Sequence, residues 1–423
     1  MKYWPAILSA TTAAIVAIPT ANELLFNNPE TQHITPLSRQ TDIKSDASEP
    51  LGTIDTSKTI VTDTRVTAPA GPGKTAVLTI NPSLQRAATT SLQRRHIAHG
   101  AVVAMDIRTG EILAYASRHN NKADPITTAR LPATDIAKTI TATATLKTSD
   151  STHTTRICHR DPGTSLDLQD LVSNKTKDTW CPTLAESIGR NLDAPIAKAA
   201  LHLTNHTAIE QAASAFGFGQ ILPFDLPVEA SHFSTAHGDE GLMRAAIGSE
   251  NIPPIGSPPP AKPSTTMSAM QGLIIASIIG RKGLTVHPLL VRTVETSHGD
   301  VVYSAKSKPH TTKQVVDTHT ANELAMMMRE TTEKGEAFRA FHDETGHPTL
   351  GKTKIAAVFG AERVNEDSDQ TTWLIGFVPS DAPEIAFATV AKNRKGSPGN
   401  AQGLAIDVLR AFLESPRKPA RPS

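Results

Sequence analysis

Residues 131–146, Leu-Pro-Ala-Thr-Asp-Ile-Ala-Lys-Thr-Ile-Thr-Ala-Thr-Ala-Thr-Leu, constrain the fold more than any other stretch. Thr139, Thr141, Thr143 and Thr145 alternate with Ile140, Ala142, Ala144 and Leu146, a period of two in strand-favouring residues. Small residues at every second position also suit a helix wedged between a sheet and other helices. Periodicity alone favours the strand. Just upstream, Asp135 and Lys138 stand three residues apart, on one face if the segment is helical. An aspartate at a helix start reads first as a cap paired with the lysine. Thr134, at i, i+4 from Lys138, is the only nearby hydroxyl one register off from Asp135. It suits a cap or turn, or a weak substitute nucleophile.

The 423 residues suffice for one large domain or two ordinary ones. A hydrophobic content of 39% and a charged content of 20% exclude a disordered or fibrous chain. The net charge of +1 gives no electrostatic case for nucleic acid. With aromatics at 4%, the core must be built from Ala, Ile, Leu, Val and Thr methyls. In residues 1–26 a single charge, Lys2, precedes an apolar run from Tyr3 to about Ala21, which reads as a signal peptide or membrane anchor. Pro19 stands where a small residue would mark a cleavage site, which favours the anchor. Residues 27–73, rich in Ser, Thr, Asp and Pro, read as a disordered linker, 74–415 as the folded domain and 416–423 as a tail. Cys158 and Cys181 are two free thiols, or one disulfide if the chain is exported. The 16 histidines form no metal-binding pattern, so neither metal nor other cofactor is expected.

Val77–Ile80 predicts a short strand and Ser83–Arg95 an amphipathic helix. Ala101–Ser117 predicts a hairpin turning at Arg108-Thr109-Gly110. Residues 150–286 look mainly helical. Thr207 and Glu210 suggest a capping box before Ala212–Phe218, and Ser264 or Thr265 opens an apolar helix through Ile279 after the Pro-rich loop 253–263. A second hairpin spans Val291–Val302, and a helix follows over Ala321–Glu333 whose Met326, Met327 and Met328 suit core filling. Strands Lys354–Phe359, Thr371–Val378 and Ile385–Ala391 and a helix Gly403–Leu413 complete an α+β layer fold.

The order of these elements resembles the transpeptidase domain of penicillin-binding proteins, in the serine β-lactamase superfamily, from about Val77 to Leu413. Leu78–Gln85 resembles the family's entry strand and helix, Met243–Gly248 and Thr265–Gly283 its helical region, and Trp373-Leu-Ile-Gly-Phe-Val-Pro379 its late strand. The resemblance implies an antiparallel sheet of about five strands flanked by helices, with an inserted, mainly helical subdomain, and makes Ile136–Leu146 a buried helix despite its strand-like alternation. Family members carry Ser-x-x-Lys, Ser-x-Asn and Lys-Thr-Gly motifs for acyl transfer. Carried over residue by residue, Lys138 matches the motif base and Asp135 stands at the nucleophile. Asn191 matches the second asparagine with Gly189 at the serine; in the alternative register Ser187 is the serine and Gly189 replaces the asparagine. Lys352 and Thr353 match the third, substrate-binding motif, with Lys354 replacing its glycine.

Three altered motifs in one frame imply an exported, membrane-anchored or extracytoplasmic pseudoenzyme of peptidoglycan assembly. It would act as a binding or scaffold protein toward stem peptides or cell-wall synthesis proteins, with β-lactams as ligands and the membrane reached through the N-terminal segment. The alternative is a divergent, active D,D-transpeptidase or carboxypeptidase that forms an acyl-enzyme with stem peptides and β-lactams.

Overall fold

Two antiparallel sheets of five strands carry the fold in the computed structural model. The structure describes residues 41–44, 50–55, 58–120, 122–160, 171, 178–248, 265–305, 312–361, 369–394, 396–397 and 399–415. All belong to the unit His33–Ser423. The apolar N-terminal segment, the Pro-rich loop and the C-terminal tail lie outside the described residues. Among the described residues no helix is long and apolar enough to cross a membrane.

Strands β1 (Thr41–Lys44) and β2 (Pro50–Ile54) make a small hairpin. β3 (Ile60–Val61), β4 (Val66–Pro69) and β5 (Lys74–Leu78) follow as an antiparallel meander. The expected linker is therefore shorter than its composition suggests. Val66, Ala68 and Ala70 alternate into the core, and Ile54 is buried too. Their side chains are too small to announce a strand among the surrounding Thr and Asp. Helix α1 (Pro82–Arg94) starts at Asn81, whose side chain accepts from the Ser83 and Leu84 N–H groups. β6 (His99–Asp106) and β7 (Ile112–Arg118) form the expected hairpin.

After a two-residue strand β8 (Leu131–Pro132) and a 3-10 turn at Thr134–Ile136 comes helix α2 (Ala137–Thr148). Its alternating threonines are buried. Thr143 and Thr145 donate to the carbonyls of Thr139 and Thr141 one turn back at 2.8 and 2.9 Å, and Thr141 donates to Ala246 O at 2.9 Å. A hydroxyl satisfied by its own helix can be buried without a sheet partner, which is how tertiary packing overrides the strand-like pattern.

The helical insert continues with α3 (Leu184–Gly189), α4 (Asp193–Leu203), α5 (His206–Ala215) and α6 (Gly238–Ala246). Asn205, not a Thr207 box, caps α5 by accepting from Ala208 N–H. Thr266–Met267 forms β9, paired with β8, so the apolar helix α7 (Ala269–Gly280) begins at the Ser268 cap rather than at Ser264 or Thr265. Hairpin β10 (Val291–Thr296) and β11 (Val301–Ser304) joins β5 in the second sheet. Helices α8 (Thr318–Glu333) and α9 (Phe338–Phe341) precede β12 (Ala356–Ala361), β13 (Asp369–Val378), β14 (Ile385–Arg394) and α10 (Ala401–Glu414).

The main sheet runs β12-β13-β14-β6-β7. Val102, Ala104, Leu374 and Val378 face one apolar core with α1 and α10; Ala101, Val103, Trp373 and Ile375 face the other with α2 and α7. Burial on both faces explains why these strands read as unbroken apolar runs. Edge strand β12 brings the sheet up to the start of α2.

Candidate functional site

The sequence features flagged at three separate places converge only in part. The 3-10 turn delivers Asp135 and the first turn of α2 delivers Lys138. Both are buried, with the Lys138 side chain 1% exposed. Trp373 Nε1 donates to Pro132 O at 2.9 Å and fixes the approach to this turn. The connection between α3 and α4 delivers Asn191, held in the left-handed region at φ 56°.

Lys138 Nζ lies 2.9 Å from Asp135 Oδ1 and donates to Asn191 Oδ1 at 2.6 Å and Asn191 O at 3.1 Å. A fourth partner, Asp193 Oδ1, stands 2.6 Å away with its side chain 9% exposed. Asn191 Nδ2 in turn donates to Asp135 Oδ2 at 2.8 Å, and the Ala361 N–H of β12 donates to the same oxygen at 3.0 Å. The network fixes the orientation of the Asn191 carboxamide, since its oxygen must face the ammonium and its nitrogen the carboxylate. Burial pushes Lys138 toward losing its proton, but the Asp135 and Asp193 carboxylates outweigh it and hold its pKa above the ordinary lysine value. The lysine is an ammonium clasped between two acids.

Asp193 escaped the sequence reading. It occupies the first turn of α4, where an acid is explained by the helix dipole alone. The signal was its place two residues after Asn191. In the competing register both positions, Ser187 and Gly189, are buried in α3. Ser187 is buried within α3 and donates to Thr183 O at 2.7 Å. A Cβ built on Gly189 would fall 2.8 Å from Glu330 Cγ of α8, so no serine fits there.

The third motif needs correction. Lys352, Thr353 and Lys354 lie in the turn before β12, with both lysines exposed and Thr353 half-buried. None of them faces Asp135. The strand residues that do are Gly360 and Ala361: a Cβ on Gly360 would fall 2.5 Å from Thr134 Oγ1. The glycine that lets this strand close on the site is thus Gly360, with Val358 and Phe359 before it where a lysine and a hydroxyl residue would complete the motif. The repeated Lys-Thr-Lys spelling upstream drew the match to the wrong place. Thr134 itself is buried, at φ 53°, and its hydroxyl finds no hydrogen-bond partner among the described residues.

Residues 100–412 match the family described as the penicillin binding protein transpeptidase domain. The peptidoglycan D,D-transpeptidase PbpA of Mycobacterium tuberculosis is 23% identical over 378 residues, covering 80% of this chain and 71% of that protein. The crystal structure of PBPA from that organism superposes with a TM-score of 0.62 at 20% identity, covering 80% of this chain and 81% of the other. The D,D-transpeptidase domain of a peptidoglycan glycosyltransferase from Eggerthella lenta gives 0.64 at 18% identity, covering 90% and 99%. The solved structures share the layered architecture, and the sequence match spans well over half of the chain, which therefore belongs to the penicillin-binding protein transpeptidase family.

Proposed function

We propose that the protein serves peptidoglycan assembly in the bacterial cell envelope as a binding or scaffold protein that does not transfer acyl groups. The observation that carries this reading is the double engagement of Asp135. Its carboxylate stands at the nucleophile position, and its Oδ2 takes the strand N–H of Ala361. Acyl transfer needs a nucleophile, a base and a donor for the developing oxyanion. A carboxylate attacking an amide gives an anhydride that expels the carboxylate again. Lys138 has no free lone pair while it is an ammonium. A substrate carbonyl would have to displace a buried charge-assisted bond to reach the Ala361 N–H. Val358 and Phe359 leave no charged or hydroxyl group on that strand for a substrate carboxylate.

The alternative, a divergent D,D-transpeptidase or carboxypeptidase using Thr134, has one observation in its favour: the hydroxyl is unpartnered. Against it, that hydroxyl is sealed against Gly360. Stem peptides would then be unreacted ligands, cell-wall synthesis proteins the partners, and the N-terminal segment the membrane link. The Cys158–Cys181 disulfide suits an oxidising, extracytoplasmic location.

Incubation with excess penicillin followed by intact mass measurement tests the reading. The penicillin-binding protein A of M. tuberculosis, which has been crystallised as a penicillin G acyl-enzyme, is the positive control. No adduct is expected on this protein. A covalent adduct mapped to Thr134 or to any serine would overturn the proposal in favour of the enzyme.

A further inference from the structure

With the serine of the family replaced, the buried cluster has the composition for a different and purely internal reaction. We infer that Lys138 and Asn191 join in an intramolecular isopeptide bond with Asp135 as the proton carrier. The inference rests on the reading of the site as a non-acylating one, because a working acyl-enzyme would need Lys138 free.

Three requirements are met on independent grounds. The amine and the carboxamide are held together, with Nζ 2.6 Å from Asn191 Oδ1 and the carbonyl carbon one bond behind that oxygen. The helix α2 and the α3–α4 connection supply this proximity without any chain motion, so the effective concentration of one group at the other is that of a well-oriented intramolecular pair. Water is kept away, since the Lys138 and Asp135 side chains are 1% and 6% exposed. Finally, one carboxyl group touches both nitrogens: Asp135 Oδ1 is 2.9 Å from Lys138 Nζ, and its Oδ2 accepts from Asn191 Nδ2 at 2.8 Å.

The steps balance as follows. The Lys138 ammonium passes a proton to Asp135 Oδ1. A turn of the Asn191 carboxamide presents its carbon to the freed amine, and the Nζ lone pair forms the new C–N bond. Asp135 returns its proton to the Asn191 nitrogen, the old C–N bond breaks with its electrons going to that nitrogen, and ammonia departs; Asp135 carries a second proton from Nζ to that ammonia, which leaves as ammonium ion, and the third proton of Nζ stays as the amide N–H. Lysine ammonium plus carboxamide thus gives a secondary amide plus ammonium ion, with no oxidant or reductant. The two carboxylates keep the amine protonated most of the time, which defeats repeated turnover. A single event per molecule tolerates a rare reactive species, given time and an undisplaced geometry. Asp193 holds Nζ in place and also favours the ammonium.

The test is the intact mass of the full chain, reduced and denatured, followed by sequencing of proteolytic fragments. The expected mass is that of the sequence less one ammonia, with a branched peptide joining Lys138 to Asn191. Asp135→Ser and Asn191→Ala should show the full mass, and Asn191→Asp the loss of one water at the same junction. Circular dichroism checks that each variant is folded. Full mass in the wild-type protein after prolonged incubation overturns the inference. So does a loss of ammonia mapped to a cyclised asparagine elsewhere, or a loss of water joining Lys138 to Asp135 or Asp193. None of these outcomes bears on penicillin acylation, so failure here leaves the non-acylating reading standing and the reverse is equally visible.

Discussion

Thr134 and Gly360 share one small space, and each dictates what the other can be. A β-branched residue at φ 53° is strained, and a side chain at 360 would strike its hydroxyl. Gly360→Ala should cost about 2 kcal/mol through overpacking. Thr134→Gly should gain about 1 kcal/mol by relieving the backbone and removing an unpaired buried hydroxyl. Once Thr134 is glycine, alanine at 360 should be nearly neutral. Urea unfolding of the two single variants and the double measures this coupling, and simple additivity would show that the two residues do not compete. The neighbouring Asp135→Ser change is expected to leave penicillin unreacted. Lys138 would remain paired with Asp193, and groups that act as a unit are not restored one at a time. Adding Lys354→Gly should not help, because Lys354 is exposed in the turn before β12 and away from the cluster. Robust acylation of Asp135→Ser would show that the rest of the machinery survives.

At the level of elements, a disulfide closes the start of the helical insert. Cys158 and Cys181 are bonded across 23 residues, and the buried Lys198 of α4 pairs with Asp178 and donates to Cys158 O at 3.0 Å. Replacing both cysteines by serine should lower stability by about 3 kcal/mol on loop entropy; an unchanged urea midpoint would mean that the insert holds this loop unaided. The hairpin β6–β7, the triplet β12–β14 and the terminal helix were legible because their signals are local: period, turn residues and apolar runs. Helix α2 was legible only through the order of its neighbours, since Thr143 and Thr145 satisfy themselves within the helix and the alternation of its threonines disguises the period. Strands β3 and β4 were missed because Val66, Ala68 and Ala70 bury too little surface to mark a strand. Of the site, the pairing of Asp135 with Lys138 could be read from spacing, and Asn191 only through the resemblance to the family's second motif. Asp193 could not, because proximity across separate elements leaves no mark in a single sequence, and the third motif was placed on a look-alike for the same reason.

For the whole molecule, a histidine of the main sheet contributes to the response to acid. His99 begins β6 opposite Lys392 of β14. Burial first, then the charges of Lys122 and Lys392, lower its pKa from 6.5 to about 4. The folded histidine is therefore neutral over a range where the unfolded one takes up a proton. Its contribution to stability is complete above pH 6.5 and is lost as pH falls from 6.5 toward 4. Since the group is partly exposed, the loss should be about 1 kcal/mol. Unfolding midpoints of the wild type and His99→Gln, compared at about pH 7 and pH 4.5, should show the steeper fall in the wild type; parallel slopes would assign acid sensitivity elsewhere. The same pairing has a consequence in time. β6 lies near the beginning of the domain and its partner β14 near the end, with Asp106 opposite Ile385. Asp407 of α10 accepts from Ser91 and Arg95 at 2.6 and 2.8 Å, which ties the last helix to the end of α1 and the residue that follows it. A chain that emerges N-terminus first holds β6 with one edge open until nearly everything else has arrived. Contacts of such long sequence separation form slowly and leave an exposed apolar edge meanwhile. Completion of this domain waits on its final strand, and whatever delivers the chain must shelter the first half from itself until then.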